Sequence, residues 1–81
     1  MLKSLKKYIK DDEYSINIWD KFIKINNFKE IIILENNKAV ISLLNKKITI
    51  SGDNITINRL LDNEILLSGE FYSITMGDLN V

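Results

Sequence analysis

From Ile23 onward, isoleucine-rich runs alternate with turn residues at short, even intervals, a pattern that predicts strand after strand. Two-residue hairpin loops are expected at Asn26-Asn27, Asn36-Asn37, Asn45-Lys46, Gly52-Asp53 and Gly69-Glu70, because Asn, Asp and Gly tolerate the positive φ that such turns need. Pairing outward from these turns sets Ile50 against Ile55, Ile48 against Ile57, Leu43 against Ile48 and Ile41 against Ile50. It also sets Leu34 against Ala39, Ile32 against Ile41, Ile25 against Phe28, Leu67 against Tyr72 and Ile65 against Ile74. Opposed residues share a face, so the pairings define one apolar surface. It comprises Ile23, Ile25, Phe28, Ile32, Leu34, Ala39, Ile41, Leu43, Ile48, Ile50, Ile55, Ile57, Ile65, Leu67, Tyr72 and Ile74. The parity from Ile57 to Ile65 does not suit a two-residue loop, so a bulge or an odd-length loop is expected around Leu60–Asn63.

The predicted architecture is all-β: a single curled, mostly antiparallel sheet of six to eight strands, forming a small barrel or sandwich. A short β-solenoid is the alternative, because Ile48 to Gly52 and Ile65 to Gly69 look like repeats on adjacent coils. The chain divides into a basic N-terminal segment, residues 1–13, and a single β domain, residues 14–81. Leu2, Leu5, Tyr8 and Ile9 fall on one helical face, so the first ten residues read as a short helical or flexible segment. About ten residues are too few for a helix stable alone in water. Tyr14, Ile16 and Ile18 alternate and suit a first strand.

On the face opposite the predicted core, Lys47, Thr49, Ser51, Asn54, Thr56 and Asn58 make a solvated surface. Ile31, Ile33, Val40 and Leu44 do not, and they are expected to form one apolar interface patch. A second copy of the chain or a membrane-protein partner would cover it; the alternative is an intramolecular cover, with Leu5, Ile9 and Trp19 folding back over the patch.

Composition narrows the function classes. The chain has 81 residues, is 46% hydrophobic and carries no net charge. A domain this small buries only about 60–65% of the surface its unfolded chain exposes, so a partner would add to a thin core. It has neither cysteine nor histidine, which removes disulfides, thiolate metal sites and the commonest general base. Ser42, Ser51, Ser68 and Ser73 therefore have no histidine to activate them, and the carboxylates are scattered. The expectation is a protein that is not an enzyme, with no cofactor, no metal and no small-molecule substrate. Asp53-Asn54 and Asp62-Asn63 could offer oxygens to calcium, but a turn role outweighs this because calcium wants six or more ligands. Trp19, Phe71 and Tyr72 near lysines could stack bases, yet Tyr72 falls on the predicted core face. A neutral chain does not favour nucleic acid as a partner, and a small β-barrel nucleic-acid-binding module is kept only as the alternative.

Lys3, Lys6, Lys7 and Lys10 crowd the first ten residues; a plain solvated end is the favoured reading, and a weak, salt-sensitive contact with an anionic membrane surface is the functional alternative. No run approaches a membrane span, and the chain reads as cytoplasmic and at most peripheral to a membrane.

Three blocks carry a resemblance. They are Ile23-Lys24-Ile25-Asn26-Asn27-Phe28-Lys29-Glu30-Ile31, then Ile48-Thr49-Ile50-Ser51-Gly52-Asp53-Asn54-Ile55-Thr56-Ile57-Asn58-Arg59-Leu60, and then Ile65-Leu66-Leu67-Ser68-Gly69-Glu70-Phe71-Tyr72-Ser73-Ile74. In their order and spacing, from about Ile16 to Ile74, the chain resembles the YabP/YqfC family of sporulation proteins, and the YabP branch more closely. Asn27 stands where the family often has glycine, and Asn45-Lys46 where it has leucine-glycine. The resemblance implies a non-enzymatic role in the mother cell of an endospore-forming bacterium, in assembly of the spore envelope. It supplies no catalytic residues to carry over.

Overall fold

A computed structural model of the chain describes residues 7–10 and 14–78. Its strands are β1 (Lys7–Lys10), β2 (Ser15–Ile18), β3 (Phe22–Asn26), β4 (Glu30–Glu35), β5 (Lys38–Ser42), β6 (Lys46–Leu60) and β7 (Glu64–Asp78). All pair antiparallel in one sheet of order β1-β2-β3-β7-β6-β5-β4. The predicted curled antiparallel sheet is therefore present, and the solenoid alternative is excluded. The sheet does not close into a barrel: β1 and β4 are its two edges. There is no helix among the described residues, and so none long and apolar enough to cross a membrane. Of the short helical or flexible N-terminal segment expected, Lys7–Lys10 is instead a strand that pairs with β2, with Ile9 opposite Ile16. An open sheet edge supplies backbone partners that a short isolated helix in water lacks. Positions 1–6 lie outside the described residues.

Two strands of 15 residues organise the rest. The first half of β6 lies between β5 and the last third of β7, so Ile50 opposes both Ala39 and Ile74. The second half of β6 pairs with the start of β7, which in turn pairs with β3, so Leu67 opposes both Ile57 and Ile23. The ladder between the long strands breaks register at Ser51/Gly52 and again between Asp53 and Thr56. Asn54 there has φ 54° and Gly69 across the ladder has φ 153°. At this bend the sheet folds over, and one buried cluster gathers side chains from both halves. Ile16, Ile23, Ile25, Ile65 and Leu67 come from one half; Ala39, Ile41, Leu43, Ile48 and Ile50 come from the other.

The predicted turns at Gly52-Asp53 and Gly69-Glu70 are thus corrected: both glycines sit inside long strands. They are there because two backbones meet. A Cβ on Gly52 would lie 2.0 Å from the Glu70 carbonyl oxygen, and one on Gly69 would lie 3.0 Å from the Asn54 and Asp53 oxygens. The Asn26-Asn27 hairpin is also absent. Asn27 adopts φ 64° and starts a crossing from β3 to β4, held by Asn27 N–H to the Asn63 carbonyl and by Lys29 N–H to the Ser42 carbonyl at 2.8 Å. The Asn36-Asn37 hairpin is as predicted, with Leu34 opposite Ala39. The next turn comes one residue earlier than expected, at Leu44-Asn45, closed by Leu43 N–H to the Lys46 carbonyl at 2.7 Å. Around Leu60–Asn63 the expected irregularity takes the form of a register shift between Ile57 and Arg59 plus a turn at Asp62-Asn63.

Three expected core residues are on the surface: Ile32 is 46% exposed, Leu34 39% and Tyr72 67%. Ile32 is the extra residue of a bulge between Ile31 and Ile33. That insertion returns Ile31 to the face of Ile41, where it packs against the core. Tyr72 is likewise passed over by the ladder, which pairs Gly52 with Phe71 and then Ser51 with Ser73.

Candidate interaction surfaces

The predicted patch does not form as one surface. Ile33 and Val40 are register partners, but Val40 is only 6% exposed. Ile31 packs against the core through the bulge, and Leu44 is exposed in the β5–β6 turn. Lys3 and Lys6 lie outside the described residues, whereas Lys7 and Lys10 stand at the two ends of β1. Asp53 accepts a hydrogen bond from the Tyr72 hydroxyl, and Asp62-Asn63 forms the β6–β7 turn. Among the described residues no three potential ligands gather into a metal-holding group.

A different surface is built on the outer side of the β2–β3–β7–β6 half. Trp19 N–H donates to the Phe22 carbonyl at 2.8 Å, which closes the β2–β3 turn over Asp20 and Lys21. Ile23 and Ile25 point into the core, so strand alternation sends Phe22 and Lys24 outward. Ile65 and Leu67 do the same for Leu66 on β7. The register then aligns Lys24, Leu66 and Arg59 across three adjacent strands. These residues, with Asn58 from the irregularity in β6, line an open groove of about 720 Å³. Its apolar part is Trp19, Phe22 and Leu66, and Phe22 is 39% exposed.

Three cations and one carboxylate, Asp20, border the groove. Two of the cations are engaged. Lys21 Nζ lies 2.7 Å from Glu70 Oε2, and this hydrogen bond raises the lysine pKa above its ordinary value. Arg59 donates to Glu64 at 2.7 Å and holds that carboxyl below the usual glutamate range. Lys24 has no ion-pair partner among the described residues. Its charge acts on Glu64, adding to the Arg59 hydrogen bond that holds that carboxyl down.

Trp19 is also the wall of a smaller groove, about 180 Å³, reaching Phe71, Tyr72 and Ile74 on β7. The structure therefore brings Trp19, Phe71 and Tyr72 together, as a stacking platform would require. The charges around it are Asp20 and the Asp53 that holds Tyr72, which suit a phosphate backbone poorly. The third surface is the edge of β4, where Ile32 and Leu34 are exposed between Glu30 and Glu35. An apolar edge invites another strand, while its bulge and flanking charges moderate that tendency.

Sequence reasoning did not find the larger groove, because its walls come from a turn and three strands whose mutual register was mispredicted. Its one legible signal was the outward position of Lys24 between Ile23 and Ile25. No family model, curated protein or solved structure matches the chain.

Proposed function

We propose that this chain is a non-enzymatic sporulation protein of an endospore-forming bacterium, acting in the mother cell by protein–protein or membrane-surface contacts during spore-envelope assembly. The observation that carries the binding half of this reading is the amount of apolar side chain left at the surface of so small a sheet. Trp19, Phe22 and Leu66 floor an open groove, and Ile32 and Leu34 lie on an unpaired edge. Contiguous apolar surface of this kind usually marks a contact. The sporulation half is supported by the family resemblance of Ile48–Leu60 and Ile65–Ile74. A chain without histidine or cysteine, whose carboxylates pair with lysine, arginine and tyrosine on the surface, suits binding better than turnover. A second copy of the chain or a membrane protein is the expected partner, and the lysines of the first ten residues would add a weak attraction to an anionic membrane.

Deleting the gene in its host tests the reading. Vegetative growth should be unchanged and the yield of heat-resistant spores should fall, with recovery on complementation. Normal spore yield and a normal envelope in the deletion strain would remove the sporulation role.

A further inference from the structure

We infer that the free side of β7 from Ser73 to Asp78 pairs, antiparallel and about a two-fold axis, with the same strand of a second copy of the chain. This rests on the reading of the chain as a binding protein and chooses between its two expected partners. β3 covers β7 only from Glu64 to Ser68, whereas β6 follows it to Asp78. Among the described residues, β7 beyond Ser68 therefore has a strand on one side alone. Leu43 N–H donates to the Lys46 carbonyl and Gly52 N–H to the Asn37 carbonyl, so Lys46, Ile48, Ile50 and Gly52 bond toward β5. Lys47, Thr49 and Ser51 then bond toward β7, where they oppose Gly77, Thr75 and Ser73. The N–H and C=O groups of Ile74, Met76 and Asp78 consequently face away from β6, toward the free side.

This edge lacks the features that blunt the others. β4 carries a bulge and a glutamate at each end, and β1 is 4 residues long. The free side of β6 beyond Ser51 is broken by the positive φ of Asn54 and by the shift between Ile57 and Arg59. From Ser73 to Asp78 the ladder is regular, and the only charge is Asp78, which Lys46 holds at 2.9 Å. A two-fold contact needs a surface that complements itself. Setting Thr75 opposite Thr75 of the second copy meets that need. Ile74 then opposes Met76 of the second copy, and the two residues exchange both of their outward N–H···O bonds. Ile74 and Met76 stand opposite Ile50 and Ile48 on the core face, and Met76 is 36% exposed, so the contact extends the core across the axis. No charge meets a like charge, whereas the next register along would set Asp78 against Ile74. Ser73 opposes Gly77 of the second copy. Inside the chain nothing calls for that glycine: its φ is not positive, and a Cβ there would meet nothing within 4 Å. A glycine within a strand fits a place where another backbone comes close.

The experiment is sedimentation equilibrium of the full chain from about 1 μM to about 1 mM, with circular dichroism to check folding. Wild type should pass from monomer to dimer. Met76→Pro removes an N–H that faces the free side and should leave a folded monomer. Thr75 is exposed, so Thr75→Lys and Thr75→Glu should also stay folded. Each should weaken self-association by about tenfold or more, because the axis sets the new charge against its own copy. Mixing the two variants should restore a dimer. Three results overturn the inference: a wild type that stays monomeric throughout, a dimer that survives Met76→Pro and both Thr75 variants, or a mixture that does not associate. A dimer lost in Ile32→Lys and kept in the Thr75 variants would also overturn it and assign the contact to β4. If spore yield falls in the deletion strain while the wild type stays monomeric, the proposed function stands and the β7 contact falls.

Discussion

Gly52→Ala isolates the contact on which the bent sheet depends. Gly52 is buried, its N–H donates to the Asn37 carbonyl at 3.1 Å, and it opposes Phe71 where the β6–β7 ladder breaks register. A methyl group there would sit 2.0 Å from the Glu70 oxygen, and 3.0 Å from both Glu70 C and Phe71 Cα. All three atoms are backbone, so no rotamer change can relieve the clash. The strands would have to part by about 1 Å to restore ordinary contact. Overpacking of this kind costs about 1–3 kcal/mol, and each ladder hydrogen bond weakened by the parting adds about 1 kcal/mol. A loss of about 2–4 kcal/mol is expected, a large share of the roughly 4–12 kcal/mol that a chain of this length has in all. Urea unfolding followed by Trp19 fluorescence and far-ultraviolet circular dichroism measures it. With a slope of about 1 kcal/mol per molar, the midpoint should drop by about 2–4 M, or the variant should be unfolded without denaturant. Gly77→Ala is the control, since a Cβ there meets nothing within 4 Å. Equal midpoints for the two variants would refute the close-approach account of Gly52.

Ile16→Ala should cost about 2–5 kcal/mol in the same assay, because Ile16 is fully buried between β1 and β3. Ile32→Lys should change stability by less than about 0.5 kcal/mol, since the side chain stands on the outside of the β4 bulge. If β4 is an assembly edge, sedimentation should show that Ile32→Lys loses self-association that the wild type displays. The Tyr72 phenol donates to Asp53, and that bond raises its pKa above 10.0, with burial and the nearby carboxylate charges adding to the effect. The stability this contributes is present below pH 10 and is lost as pH rises through the folded value. Asp53→Asn should therefore bring the Tyr72 titration, followed by ultraviolet absorbance, to lower pH. Glu64 behaves in the opposite sense. Its folded pKa is held below 4.5 by the Arg59 hydrogen bond, so its contribution is present above 4.5 and lost as pH falls through the lower value. Arg59→Gln should return the carboxyl signal of Glu64, followed by NMR, toward the ordinary glutamate range.

Most of the core was legible although most of the hairpins were not, and strand parity explains why. Side chains alternate with period two, so moving a turn by one residue changes every partner by two positions and leaves the faces intact. The β5–β6 turn shows this. It lies at Leu44-Asn45 and not at Asn45-Lys46, so Ile48 meets Ile41 in place of Leu43, yet Ile41, Leu43 and Ile48 are all buried. Gly52-Asp53 and Gly69-Glu70 are not turns at all, but Ile50 and Ile55, and Ile65 and Leu67, still point inward from the long strands. Predicted core positions reached the surface where a residue was inserted within a strand, and at Leu34, which stays opposite Ala39 but lies on the edge strand β4. The bulge at Ile32 exchanged the roles of Ile31 and Ile32, and the skip at Tyr72 turned a predicted core aromatic into a surface group.

The same two devices explain why the surface was hidden. An isoleucine bulge has no composition of its own, because Ile31, Ile32 and Ile33 are chemically alike, and only the ladder shows which one is extra. Glycine is ambiguous in a related way: it serves a tight turn through its φ, and it serves two touching backbones through its missing Cβ. Gly52 serves the second purpose. Replacing two expected hairpins with one folded pair of long strands carries Arg59 and Leu66 onto the same outer face as Lys24. The bend that completes the core is therefore also what assembles the groove. A change that straightens β6 and β7 should therefore scatter these outer-face residues as well as lower stability.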